Sequence, residues 1–305
     1  MKIFAWVVIG IVGVLLLALL WYLVVGAIVF KATFGKKPMS RKRQLENAKY
    51  YNIDLDWWNR YKFEKYKIKN VNGLTLVGHY YDNKSDKTAI IVHGYRSNYL
   101  EMQGICDFYI RKGFNILAVE DRAHGESEGK CIGFGWYDRL DLMAWIKHLN
   151  ELQETKIVLH GLSMGSTAVC SVSGEKLPEN VKAIISDCGF SNGDQQFTYV
   201  MKKNKFPVIL KKHLYSYLKR VHGFDMKDVD ATKSVKNTKV PILFIHGNAD
   251  DFVPVENLYA LYNAAPDGKK DKFIVEGAGH ALSYNVAGKE YEKKIESFLK
   301  TYTNL

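Results

Sequence analysis

The chain has 305 residues, 47% of them hydrophobic and 25% charged, with a net charge of +11. That length admits one large or two small domains, and the composition is that of a packed globular protein rather than a disordered one. The basic residues show neither zinc-finger nor RNP spacing, so no nucleic-acid partner is expected.

Residues Ile3 to Phe30 carry no charged side chain. As a helix they would reach about 40 Å, against a ~30 Å hydrocarbon core, enough to span with tilt. Trp6 near one end and Trp21-Tyr22 toward the other suit interfacial anchoring. A cleaved signal peptide is the competing reading, but its apolar region runs to only about 7–15 residues. Lys31, Lys36, Lys37, Arg41, Lys42 and Arg43 follow, with no acid before Glu46. The positive-inside rule then predicts a single-pass anchor in the cell membrane with the main domain in the cytoplasm; export is the alternative. The same cluster would attract anionic headgroups or serve only as a stop-transfer signal. Cys106, Cys131, Cys170 and Cys188 lack Cys-x-x-Cys spacing and read as small hydrophobes in a reducing compartment.

Gln44 to Tyr61 has helical spacing of Leu45, Ala48 and Leu55. Tyr66–Lys69 and Leu74–Val77 alternate around Asn72-Gly73, which predicts a β-hairpin with a type I′ turn. Beyond it, short apolar runs (88–92, 114–119, 156–159, 181–185, 240–245 and 272–275) alternate with helical stretches (100–112, 137–150, 166–177, 255–265 and 289–302). Continuous apolar runs mark strands covered on both faces, so the pattern predicts a doubly wound, mostly parallel α/β sheet. The interval 189–237 is too long for a simple crossover and reads as a short inserted lid. The expected organisation is an anchor over 1–30, a basic juxtamembrane linker and helix over 31–61, and a catalytic domain over 62–305.

The densest chemistry lies at Gly161-Leu162-Ser163-Met164-Gly165, between an apolar run and a small-residue helix. A serine hydroxyl needs a base and a fixed, exposed position, and flanking glycines let neighbouring backbone pass close to it. An acid and a base are expected after later strands, in the order Ser, Asp, His. The run to Ile245 leads into His246-Gly247-Asn248-Ala249-Asp250, and the run to Val275 into Glu276-Gly277-Ala278-Gly279-His280.

His246-Gly247-x-x-Asp250-x-x-Val253-Pro254 and Gly277-x-Gly279-His280 resemble the acid and histidine loops of the α/β-hydrolase family. His93-Gly94-Tyr95-Arg96 is similar to its oxyanion loop, and Glu120-Asp121-Arg122-Ala123-His124-Gly125-Glu126-Ser127-Glu128-Gly129 to a bracing loop. The resemblance covers roughly Tyr66 to Leu305 and reaches the monoglyceride lipase-like and serine aminopeptidase-like branches. It implies an α/β-hydrolase fold, a Ser163, His280 and Asp250 triad, and an oxyanion hole from the N–H groups of Tyr95 and Met164. It also implies structural roles for His93, Asp121, Arg122 and His124, and leaves Asp187 as an alternative acid.

No cofactor or metal is expected. Gly133-Phe134-Gly135 lacks the third glycine of a dinucleotide fingerprint, Asp138 standing in its place, and the nine histidines are scattered. Between Asp194 and Asp225 there is no acid, while lysines interleave with Phe206, Ile209, Leu210, Leu214, Tyr215, Tyr217 and Leu218. That is the composition of a basic interfacial helix, read as a lid on membrane lipid or as a solvated face over an apolar pocket. The leading expectation is a membrane-tethered serine hydrolase acting on small carboxylic esters, favouring apolar acyl groups. Peptidase, amidase or thioesterase action uses the same parts, and a non-catalytic binding module is the other class.

Overall fold

A computed structural model describes residues 2–37, 39–303 and 305. Its centre is an eight-stranded sheet of β1 (Glu64–Lys69), β2 (Thr75–Tyr81), β3 (Lys87–Val92), β4 (Asn115–Glu120), β5 (Lys156–Leu162), β6 (Val181–Asp187), β7 (Ile242–Gly247) and β8 (Lys270–Val275). The spatial order is β1-β2-β4-β3-β5-β6-β7-β8. The two pairings of β2, with β1 and with β4, are antiparallel and all others parallel. This is the expected α/β-hydrolase architecture.

Alternation along the strands sorts side chains to opposite faces. Ile90, Val92, Ile242 and Phe244 meet α5 (Asp138–Leu152), α6 (Met164–Val172) and α10 (Glu256–Ala264) on one side. Ala89, Ile91, Leu243 and Ile245 meet α4 (Gln103–Arg111) and α12 (Lys289–Thr303) on the other. Both faces are covered, which is why the strand sequences are apolar runs rather than alternating ones.

Before the sheet stand α1 (Lys2–Thr33), α2 (Arg41–Tyr50) and α3 (Trp57–Arg60). The single helix expected over 44–61 is two. Ser40 caps α2 by accepting from the Arg43 N–H, and Asn52, at φ 52°, turns the chain out of the helix. Asparagine tolerates that left-handed conformation. The hairpin turn also differs from type I′. Only Gly73 has positive φ, and its N–H donates to the Asn70 carbonyl. The Asn70 side chain accepts from the Asn72 and Leu74 N–H groups and donates to Asp141, bracing the turn against α5.

The interval 189–237 folds as α7 (Gly193–Lys203), α8 (Leu210–His222) and α9 (Ala231–Val235). Leu214, Tyr215 and Leu218 of α8 are buried with Phe34, Phe190 and Phe224. Tyr217 is buried as well, with the end of α1 against it. These four residues, expected among the apolar face of an interfacial helix, are therefore covered by protein. A 3₁₀ turn over Tyr99–Met102 precedes α4, and α11 (Ser283–Ala287) follows β8.

Candidate active site

Ser163 stands between β5 and α6 at φ 55°, ψ −114°. A non-glycine residue held there stores about 1–3 kcal/mol of strain. Its surroundings enforce the turn: a Cβ on Gly161 would lie 2.2 Å from the Gly165 carbonyl oxygen, and one on Gly165 would lie 2.3 Å from that of Val92. The Ser163 N–H donates to the Asp187 carbonyl at 2.8 Å, fastening the turn to β6.

The structure brings Ser163, His280 and Asp250 together. Ser163 Oγ lies 2.8 Å from His280 Nε2, and His280 Nδ1 lies 2.7 Å from Asp250 Oδ2. Asp250 Oδ1 accepts from the N–H groups of Phe252 and Val253 at 2.9 and 2.8 Å. His246 Nε2 is 3.2 Å from Oδ2 and also bonds the Val253 carbonyl. Burial raises the Asp250 pKa, but hydrogen bonds from His246 and His280 outweigh it and hold the group well below the usual carboxylate range. The Phe252 ring packs 5.0 Å from the His280 imidazole.

Asp187, the alternative acid, is engaged elsewhere. Its carboxylate accepts from Ser283 Oγ at 3.1 Å and from the Tyr291 hydroxyl at 2.9 Å. Burial pushes its pKa up to about 6. Tyr291 continues to His160, and His160 to Tyr109, in a buried polar chain beneath the elbow.

Met164 opens α6, where unpaired N–H groups point outward. Gly94 runs against the serine: a Cβ there would be 3.3 Å from Ser163 Cβ. Among the described residues, neither the Tyr95 nor the Met164 N–H donates a hydrogen bond. His93 and His124 are buried scaffolding. His93 Nδ1 bonds the Gly94 carbonyl and Nε2 accepts from the Asp121 N–H, while His124 Nε2 accepts from the Arg96 N–H. Burial lowers their pKa values to about 4 and about 3, so both stay neutral near pH 7. Arg122 makes a buried two-point pair with Asp141.

Four features escaped the sequence reading. His246 is a second imidazole on the acid. The Tyr95 hydroxyl donates to the Thr33 carbonyl at 2.6 Å, and Arg96 donates to the Ala32 carbonyl, so the oxyanion-loop side chains cap the end of α1. A cleft of about 760 Å³ opens on Ser163, and its walls include Arg43, Asn47 and Tyr51 from the segment expected to be a linker. Among the described residues, none from 189–237 is part of its lining; the insertion meets it through the acid loop, where Gln196 donates to the carbonyl of the lining residue Phe252. Finally, Cys188 sits beside the triad, its sulfur within 4.8 Å of His280 and Asp250 ligand atoms. Burial pushes that thiol pKa up, and the other two groups are bonded to each other, so the trio is a poor metal site. Only a fold-level contact map could have disclosed these features.

The prolyl oligopeptidase family matches residues 135–305. The YqkD protein of Bacillus subtilis (strain 168) is 28% identical over 239 residues, covering 76% of this chain and 77% of its own length. The membrane protein YNL320W of Saccharomyces cerevisiae is 23% identical over 228 residues, covering 73% of this chain and 71% of its own. Among solved structures, the Pyrococcus furiosus esterase Pf2001 is similar with 26% identity and a TM-score of 0.68, covering 81% of this chain and 95% of its own.

Proposed function

Because the chain belongs to the prolyl oligopeptidase family and has the α/β-hydrolase fold, we propose that it is a membrane-tethered serine hydrolase cleaving small carboxylic esters. The hydrogen-bond chain from Ser163 Oγ through both nitrogens of His280 to Asp250 carries this reading. Ser163 attacks the carbonyl carbon while His280 Nε2 takes the hydroxyl proton. Asp250, kept ionised by its four donors, holds the proton on Nδ1 and stabilises the imidazolium. The N–H groups of Tyr95 and Met164 receive the oxyanion, each worth about 3 kcal/mol in the transition state. His280 returns the proton to the leaving alcohol, and water releases the acyl group by the same steps in reverse roles.

Likeness to an esterase supports ester cleavage. The family's name favours peptide bonds as a second reading, since the same residues can attack an amide. An apolar lid is the expected ground for preferring acyl esters over peptides, but among the described residues none of the insertion lines the cleft. For the anchor, α1 is long and apolar enough to cross a bilayer, and the basic residues after it support a catalytic domain on the cytoplasmic side. A fluorophosphonate probe on the full-length protein tests the core claim. Labelling that disappears in Ser163→Ala supports it, and an unlabelled wild type would point to a binding module. p-Nitrophenyl esters of graded length, beside aminoacyl anilides, separate esterase from peptidase.

A further inference from the structure

The membrane face of the protein does not end with α1. The last third of α1 packs on α8, and the contacts advance together along both helices. Trp21 and Tyr22 meet His213, and the Tyr22 hydroxyl bonds Ser216 at 3.1 Å. Gly26 faces Tyr217 so closely that a Cβ would lie 2.4 Å from its ring. Phe30 stacks on His222 at 4.1 Å. The two helices therefore run parallel, and the N-terminal end of α8 points back along α1 toward the bilayer. Continued by one turn, that register brings Leu210, the first residue of α8, to about the level of α1 position 18.

A hydrocarbon core of ~30 Å needs only about 20 helical residues, and α1 has 32. The α1 surface from Ile3 to Leu20 is exposed along nearly its whole length, whereas contact with α8 begins at Trp21. The segment entering α8 therefore reaches the level where the unpacked, apolar part of α1 begins. Its side chains match that level. Phe206 is 63% exposed, Ile209 72% and Leu210 43%, whereas Leu214, Tyr215, Tyr217 and Leu218 of α8 are buried and the exposed Val221 sits at the opposite end of that helix. Lys202, Lys205 and Lys212 flank them, exposed and with no ion-pair partner among the described residues. Lys203 and Lys211 are tied to Asp251 and Asp194.

We propose that Phe206, Ile209 and Leu210 form a second membrane contact that inserts beside α1 into an anionic lipid surface, with Lys202, Lys205 and Lys212 at the headgroups. Apolar tips framed by free lysines are the chemistry of interfacial insertion. The proposal rests on the reading of α1 as a membrane span. It has a consequence for the site, because α7, which leads into the tip, is bonded to the acid loop. Gln196 donates to the Phe252 carbonyl at 2.7 Å, and Tyr199 donates to the Asp251 carbonyl at 3.0 Å.

The test uses the full-length chain in nanodiscs containing phosphatidylglycerol. Nitroxides are attached singly at Ile209→Cys, Leu15→Cys and Val71→Cys in a Cys131→Ser background, the other three cysteines being buried. Accessibility to oxygen is compared with accessibility to a water-soluble nickel chelate. Leu15 and Ile209 should favour oxygen, and Val71, 74% exposed on the hairpin turn, should favour nickel. Ile209 favouring nickel overturns the docking whatever Leu15 reports. Leu15 favouring nickel rejects the span, and with it the insertion beside α1, whatever Ile209 reports, whereas Leu15 favouring oxygen with Ile209 favouring nickel keeps the span and rejects only the insertion. Spin–spin broadening between Ile209 labels on two chains would put a second copy where the lipid is proposed, and also overturns it.

Discussion

Replacing Asp250 by Asn alters one atom at the centre of the site. The amide oxygen can still accept from the N–H groups of Phe252 and Val253, so the loop keeps its anchors. The amide nitrogen takes the place of Oδ2, 2.7 Å from His280 Nδ1. A donor there forces the imidazole proton onto Nε2, which faces Ser163 Oγ at 2.8 Å and can then only donate to it. The base is lost in its resting state. The imidazolium that forms during attack also loses its counter-charge. Charges about 4 Å apart at an effective dielectric of ~20 interact by about 4 kcal/mol, which is about a thousandfold in rate. The full-length variant should therefore show kcat for p-nitrophenyl butyrate reduced by about that factor, with fluorophosphonate labelling slowed in parallel and thermal unfolding nearly unchanged. A loss below about tenfold would refute the assignment of Asp250 as the orienting acid.

Asp187→Asn should leave kcat largely intact, which separates the two acids. Asp187 binds its proton more tightly in the folded protein, at about pH 6 against an ordinary 3.8. Its protonated form thus favours folding at low pH, and that contribution is lost as pH rises through about 6, a change of about 3 kcal/mol. Thermal unfolding should show the variant gaining on wild type at about pH 8 relative to about pH 4, and an equal difference at both would contradict the account. Tyr95→Phe removes the bond to the Thr33 carbonyl, worth about 1 kcal/mol. It should lower kcat by up to about fivefold with KM unchanged, because the oxyanion loop acts on developing charge; a changed KM with constant kcat would place Tyr95 in substrate binding instead.

The sheet was legible because burial on both faces writes itself into short runs of residues such as Ile90-Ile91-Val92. Ser163, Asp250 and His280 stand out because each follows such a run and sits in a glycine-marked loop. What escaped has no local pattern. Helical spacing in α8 shows that Leu214 and Leu218 face something apolar, but the same spacing serves lipid and protein, and Phe34 and its neighbours are the actual cover. The departure of the chain from the helix at Asn52 is one residue's choice of φ. The wall that Arg43 and Tyr51 give the cleft, and the cap that Tyr95 gives α1, join residues separated by many tens of positions, and no periodicity records such meetings.

That cap changes what kind of attachment α1 provides. An anchor joined by a slack linker lets an enzyme roam a hemisphere and sample substrates from solution. Here the final carbonyls of α1 are bonded to the loop beside the nucleophile, and Ile132 donates to the carbonyl of Phe34 immediately after it. With α1 in a bilayer, the mouth of the cleft is mounted like a fixture on a wall, at constant height and tilt. Molecules must then arrive at that height, which favours those that travel within or along the leaflet over those that drift freely.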